Sequence, residues 1–297
     1  MGKTQQLFDR NLGKFGKIAE ERAIIALQDD AKLDITTKAL GLAGKAHASI
    51  IAEEAGVLCG LLEAKAVLDG LRLKANFREG GKFLKGDAIL EIEGNIAEIL
   101  KRERTALNYL QVLSGIATET RKLAERIGIG RVAAIRKNHP LLTESEKRAV
   151  QMGGGLTHRI NLSDGYLIKN THLEWLGKKE GLSEREAVGV AVEKALAYRK
   201  KSKHKYFVEV EIMSLQEALA AAQTKADAVL VDNQNPVHFA QIASAIRKIN
   251  RKIIIEASGG ITPGNAKAYL KAGADFVSMS YLVMRSRPIG MHLRLIY

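Results

Sequence analysis

The sequence predicts an α/β fold: a compact α+β module followed by a series of β-α units that build a parallel sheet or barrel. Two observations carry this. Six short apolar runs punctuate the chain from residue 132 onward, and the last four end at 211, 232, 258 and 280, spaced by 21, 26 and 22 residues. Helix-like segments fill the gaps between those four, which is the rhythm of parallel strands joined by crossover helices. A third observation concerns function. Lys169, Glu211, Asp232 and Ser258 close successive runs, and both barrels and doubly wound sheets place their chemistry at strand C-termini. The spacing alone does not choose between the two.

In chain order, residues 5–30 read as helical, with Leu7, Leu12, Phe15, Ile18 and Ile24 at roughly helical spacing. Residues 46–58 mix strand and turn signals. Gly and Lys punctuate 77–93, where 88–92 is a short strand. Residues 97–126 form a long helix with a break expected at Ser114-Gly115. The expected domain boundary falls there, giving 1–113 and 114–280. Beyond it, the expected strands are 132–136, 166–169, 207–211, 228–232, 253–258 and 275–280. Helices are expected at 215–223, 236–249 and 263–272.

Composition narrows the class. Hydrophobic residues make up 46% and charged residues 27%, ordinary for a globular protein. No apolar run approaches the ~20 residues of a membrane span. The first six residues have no apolar core behind their charge, so no secretory signal is read there. A single cysteine, Cys59, excludes an internal disulfide and fits a reducing cytoplasm; it sits in an apolar run and is read as a packing residue. Lys plus Arg is 46 against 33 Asp plus Glu, a net charge of +13. The cations are scattered, aromatics are only 5%, and no zinc-ligand or aromatic-basic pattern occurs. The charge is therefore read as basic surface that also steers anions, not as a nucleic-acid interface.

Each motif has a structural reading and a functional one. Gly153-Gly154-Gly155 before His158-Arg159 is a flexible turn or an anion approach. Ser258-Gly259-Gly260 lies between a strand and a helix expected from Pro263, where unhindered amides bind phosphate readily. Glu209 and Glu211 are two apart on one strand and share a face. Such carboxylates are costly unless paired or bound to a cation; for Glu209 the expected pairing is a lysine or arginine. Asp232-Asn233 serves ribose hydroxyls or water-bound Mg²⁺, or caps the next helix. Arg104, on a helix, reads by itself as a surface residue. His139 and His172 lack metal-ligand spacing and are read as structural.

Taken together these segments resemble the quinolinate phosphoribosyltransferase family. The resemblance rests on 103–108 with 114–118, Arg136-Lys137 with Pro140, Gly153–Gly155 with His158-Arg159, 167–169 with His172, 208–211, 231–233 and 256–261, supported by 34–37 and 52–57. The order matches along nearly the whole chain. It implies an N-terminal α/β sandwich domain, an incomplete α/β barrel, and a tail, 281–297, that returns to the first domain. It implies a homodimer or higher assembly with shared sites. Quinolinate would be held by Arg136, Lys137, His158, Arg159 and Lys169, with Arg104 from a neighbouring subunit. Glu211 and Asp232 would bind phosphoribosyl pyrophosphate and, through water, Mg²⁺. Ser258, Gly259, Gly260 and Ser280 would take the 5′-phosphate. Lys137, Lys169, Glu211 and Asp232 are the residues it implies for catalysis.

The sequence departs from the family pattern in places. Ile135-Arg136-Lys137-Asn138-His139-Pro140-Leu141 stands where the family usually has Thr-Arg-Lys-Thr-Thr-Pro-Gly. Ser280 replaces a usual glycine, 282–284 read Leu-Val-Met for Leu-Thr-His, and 169–172 read Lys-Asn-Thr-His. The expected activity is carboxylating nicotinate-nucleotide pyrophosphorylase. The alternatives are a paralogue using nicotinate or another acidic acceptor, and a non-catalytic binding protein of the same fold.

Overall fold

A computed structural model describes residues 2–9, 12 and 16–296 of the chain. It divides into two compact units whose chain segments interleave. One takes in the chain from after the first helix to residue 125, then 137–155, then the stretch from 282 onward; the other takes in the N-terminal helix, 126–136 and 156–281. In this division the segment 137–155 belongs to the first unit, and the N-terminal helix to the second.

The first unit is an antiparallel α/β layer. Its strands are β1 (Lys45–Ala52), β2 (Gly56–Val57), β3 (Arg72–Ala75), β4 (Lys82–Phe83) and β5 (Ala88–Asn95). β1 pairs with β5, and β5 with β3, in antiparallel register. Their apolar side chains, Ile50, Leu90 and Ile92 among them, pack with Leu58, Leu68, Phe83, Ile99 and Leu110 into one core. At ~1.5–3 kcal/mol for each such side chain withdrawn from water, this core is the unit's main stabilising term.

The helix Ile96–Ile127 runs 32 residues without a break. Gly115 therefore does not interrupt it. A Cβ at that position would lie 2.2 Å from the carbonyl oxygen of Arg287, so the glycine lets another backbone segment press against the helix. Ser114 beside it accepts the N–H of Cys59 and donates to its carbonyl. The pair that looked like a break is a docking point.

The second unit is a parallel sheet: β6 (Val132–Ala134), β7 (Tyr166–Ile168), β8 (Val208–Ile212), β9 (Ala228–Asp232), β10 (Ile254–Ser258) and β11 (Phe276–Met279). The order is β6-β11-β10-β9-β8-β7, every neighbouring pair parallel. β6 and β7 are the two edges, so the barrel is incomplete. The strands are buried almost throughout, which explains their continuous apolar runs. β9 matches its expected bounds, and the other strand ends lie within two residues of theirs. The helices Leu215–Gln223 and Pro236–Ile249 match their expected bounds; Ser214 caps the first and Asn235 the second.

The expected helix over 5–30 is two helices, Lys3–Phe8 and Gly16–Asp30, with Leu12 between them outside either; Phe15 lies outside the described residues. The first helix belongs to the second unit. Its Phe8 is fully buried against Phe207 and Phe276, ring centroids 4.5 and 4.9 Å away. Ala228 and Ile254, the first residues of β9 and β10, share that cluster. Phe8 thus closes the N-terminal end of the sheet. The last strand, β12 (Met291–Ile296), pairs antiparallel with β1 in the first unit.

No helix among the described residues is long and apolar enough to cross a membrane.

Candidate active site

The C-terminal ends of the parallel strands gather most of the residues singled out from the sequence. Arg136 follows β6, Lys169 follows β7, Glu211 is the penultimate residue of β8, Asp232 and Ser258 end β9 and β10, and Ser280 follows β11. A parallel sheet sends every strand the same way, so residues scattered over 136–280 arrive at one rim.

That rim carries charges of both signs. Arg159 is buried, and its guanidinium is pushed below its ordinary range, first by burial and then by Arg136 nearby. Like charges repel, and an anion bound between them removes that cost. Glu211 is pushed above the usual carboxylate range by burial and by the neighbouring charge of Asp232. The Asn170 N–H, 3.3 Å from its Oε1, and Lys169 work the other way. Two repelling carboxylates at adjacent strand ends supply the hard oxygen donors that suit Mg²⁺. The residues present therefore fit that ion.

The loop after β10 is built for close approach. Gly259 and Gly260 have φ of +82° and +61°. A Cβ on Gly259 would lie 2.4 Å from Asn233 Oδ1 and 2.6 Å from its nitrogen, so only glycine fits. The helix that follows is Ala266–Lys271, starting later than expected from Pro263. Asn265 explains this: its side chain accepts the Thr262 N–H and donates to the Gly260 carbonyl, holding 260–265 as a turn. An anion at Ser258–Gly260 would meet loop amides, not a helix terminus.

Among the described residues, Glu209 forms no ion pair with a lysine or an arginine. It is fully buried, and its Oε2 lies 3.0 Å from His158 Nε2. Glu256 Oε2 approaches the same nitrogen at 3.1 Å. Ser278 donates to Glu256 Oε1, and Phe8 stacks on the imidazole at 4.9 Å and 21°. Burial disfavours the charged imidazole, but Glu256 and Glu209 outweigh it and push His158 up to about 9. Burial and the neighbouring Glu256 push Glu209 up to about 7, against the opposing pull of His158. His158 is only 4% exposed, so its Nε2 faces carboxylates inside the sheet and not an open pocket.

Glu256, Ser278 and Phe8 were missed as site residues. Glu256 had a signal: it stands two before Ser258 in an apolar strand and so shares its face. Phe8 had none, because its neighbours are distant in sequence.

Arg104, Lys137 and Gly153–Gly155 belong to the other unit. Arg104 and Lys137 are exposed. Gly153 closes the helix Thr143–Met152; a Cβ there would lie 2.4 Å from Thr120 Cβ, which is the packing reason for a glycine. His172 accepts the Lys169 N–H at the start of its helix, and His139 Nδ1 lies 2.5 Å from buried Glu146.

Family models decide the relationship. Residues 34–114 match the quinolinate phosphoribosyl transferase N-terminal domain, and 116–294 its C-terminal domain. The chain belongs to this family. It is 35% identical over 272 residues to the probable nicotinate-nucleotide pyrophosphorylase [carboxylating] of Methanothermobacter thermautotrophicus, covering 88% of this chain and 93% of that one. It is 36% identical over 274 residues to the protein of the same name from Methanocaldococcus jannaschii, covering 89% and 92%. Among solved structures, the nicotinate-nucleotide pyrophosphorylase from Francisella tularensis superposes with a TM-score of 0.82 at 32% identity, over 95% of this chain and 97% of that one.

The departures from the family pattern are accommodated locally. Asn138 donates to Thr143 Oγ1 at 2.5 Å, and the His139 N–H donates to Glu146 Oε2 at 3.1 Å, tying this segment to the helix Thr143–Met152. Leu141, where the family has glycine, keeps a glycine's backbone: its φ is +66° and its side chain is 68% exposed. Ser280 is half-buried just past β11.

Proposed function

We infer that this chain transfers the phosphoribosyl group of phosphoribosyl pyrophosphate to quinolinate with loss of carbon dioxide, giving nicotinate mononucleotide and pyrophosphate for NAD biosynthesis. The observation that carries this is the strand-end rim, in a member of this family, which gathers the cations Arg136, Arg159 and Lys169 together with the carboxylates Glu211 and Asp232. A dianionic acid fits the first. The ribose hydroxyls fit the second, and the amides of Ser258–Gly260, with the Ser280 hydroxyl, suit the 5′-phosphate.

In this reading Arg136, Arg159 and Lys169, with Lys137, hold the two carboxylates and aim the ring nitrogen at the anomeric carbon. The nitrogen's lone pair forms the new C–N bond as the bond to pyrophosphate breaks. Glu211 and Asp232 stabilise the positive charge that builds on the ribose ring. Mg²⁺, held through water by the same two carboxylates, would neutralise the leaving pyrophosphate. The cationic ring then takes the electron pair of the C2–carboxylate bond as carbon dioxide leaves, and C2 takes a proton. No protein nucleophile is needed. The reading includes a homo-oligomer in which Arg104 of the partner subunit completes the acid site, in a cytoplasmic setting.

The test is an assay with Mg²⁺, phosphoribosyl pyrophosphate, and quinolinate or nicotinate offered separately. Mononucleotide and carbon dioxide from quinolinate alone support the reading. Arg136→Ala or Lys169→Ala should abolish turnover and leave the fold intact; wild-type turnover in either removes the proposed acid site. One observation favours a second reading, nicotinate as acceptor: His158 Nε2 is engaged with Glu209 and Glu256, leaving one cation fewer for a second carboxylate. Product from nicotinate alone would select it.

A further inference from the structure

The layer beneath the acid site has no part in the reaction above. It contains His158, Glu209, Glu256 and Ser278, all buried, with Phe8 across the imidazole face. Three features set it apart from ordinary packing. Among the described residues no group donates to Glu209 Oε1, and a partly satisfied buried ionic cluster is usually less stable than an apolar packing of the same volume. The two carboxylates come from β8 and β10, with β9 between them, yet both reach one nitrogen. And His158 has φ +51°, one of three non-glycine residues with positive φ among the described residues. Such a conformation persists only where its surroundings hold it.

The next residue is Arg159, whose backbone direction is set by that left-handed turn. We propose that Glu256 and Phe8 are positioning residues for Arg159: Glu256, with Glu209, grips His158 from within the sheet, Phe8 covers its ring, and the turn so fixed delivers the Arg159 guanidinium to Arg136. The groups facing His158 are Glu209 from β8, Glu256 from β10, and Phe8, Phe207 and Phe276 around the ring. Ser278 on β11 fixes Glu256 in turn. The N-terminal helix thereby becomes part of the acid site's support without touching substrate.

This rests on the proposed function, and the experiment separates the two. Glu256→Gln, Ser278→Ala and Phe8→Leu are compared with wild type for quinolinate KM, phosphoribosyl pyrophosphate KM and kcat. Glu256→Gln should raise quinolinate KM by ~tenfold or more, because misplacing one guanidinium weakens the acid site. Its phosphoribosyl pyrophosphate KM should stay within about twofold, since the residues proposed for that ligand are untouched. Phe8→Leu and Ser278→Ala should move the same constant in the same direction by less. In an Arg159→Lys background, Glu256→Gln should add little, because the positioned group is already gone. A folded Glu256→Gln protein with wild-type quinolinate KM overturns the inference. If that variant fails to fold, unchanged quinolinate KM in both Phe8→Leu and Ser278→Ala overturns it equally. One equivalent of tightly bound Zn²⁺ in purified wild type, measured by elemental analysis, would also overturn it by assigning the three side chains to a metal. Wild type that neither binds nor turns over quinolinate defeats the proposed function itself, and the inference with it.

Discussion

Each unit buries a cation against carboxylates, and the two do so with different chemistry. In the antiparallel unit Arg148 pairs with Glu63, which is fully buried and also accepts the Ser145 hydroxyl at 2.5 Å. Burial works against the Arg148 charge, but Cys59, Glu63 and Glu79 outweigh it and push the guanidinium further above its ordinary range. In the parallel unit the cation is His158, whose charge exists only because Glu256 and Glu209 surround it. One cluster holds a permanent charge and the other a conditional one. A guanidinium suits a fixed join between helices; an imidazole between two carboxylates suits a place where geometry must be exact but the total charge small.

The largest expected effect comes from breaking the permanent pair. Glu63→Ala leaves Arg148 buried without its partner and should cost ~3–5 kcal/mol of stability, read from the shift in urea midpoint. A loss under about 1 kcal/mol would mean that the pair is solvated in solution. The conditional cluster should show itself through pH. His158 is pushed up to about 9 from 6.5, and Glu209 to about 7 from 4.5. Both raised values act in one direction: the stability they contribute is fully present below the unfolded values and is lost as pH rises through the folded ones. Urea midpoints should therefore fall from about pH 4.5, where Glu209 begins to respond, to about pH 9, where His158 finishes, while Arg148 stays charged throughout. A flat profile between pH 6.5 and 9 would show that His158 is neutral in the folded protein.

Cys59 offers a finer probe of the first unit. It is fully buried, and burial followed by the nearby Glu79 pushes its thiol well above the ordinary range. Modification by a thiol reagent at pH 8 should be at least ~100-fold slower than in denaturant, because only the exposed thiolate reacts. Equal rates would mean that the permanent cluster opens readily. The smallest effect is expected at Leu141. A left-handed leucine costs roughly 1 kcal/mol, and its exposed side chain gives little back, so Leu141→Gly should raise the urea midpoint slightly. A lower midpoint would mean that the side chain's contacts outweigh the backbone cost.

The parallel unit was the more legible in the sequence. Its strands are largely buried and read as mostly apolar runs, and a polar residue at or just past the end of several of them marks the rim. That is why Lys169, Glu211, Asp232 and Ser258 could be placed from spacing. The antiparallel unit was less clear because its signals depend on partners far along the chain. Gly115 looked like a break, and only the Arg287 carbonyl explains it. The pairing of Glu209 with His158 spans 51 residues, and no local pattern encodes it. The delayed helix after Pro263 turned on the Asn265 side chain, whose choice between capping and turn-making is not visible in a propensity.

The seat of Phe8 has a consequence for how the chain is made. Its ring rests against Phe276, so a residue made earlier has to wait for one far along the chain. Until then the N-terminal end of the sheet stands open, with an apolar cluster and two acids uncovered. Contacts of such sequence separation are slow to form, and they leave the N-terminal helix without its berth throughout synthesis. Closure of the sheet by this helix thus reports on the sheet alone: only a chain translated through the sixth parallel strand can seat it.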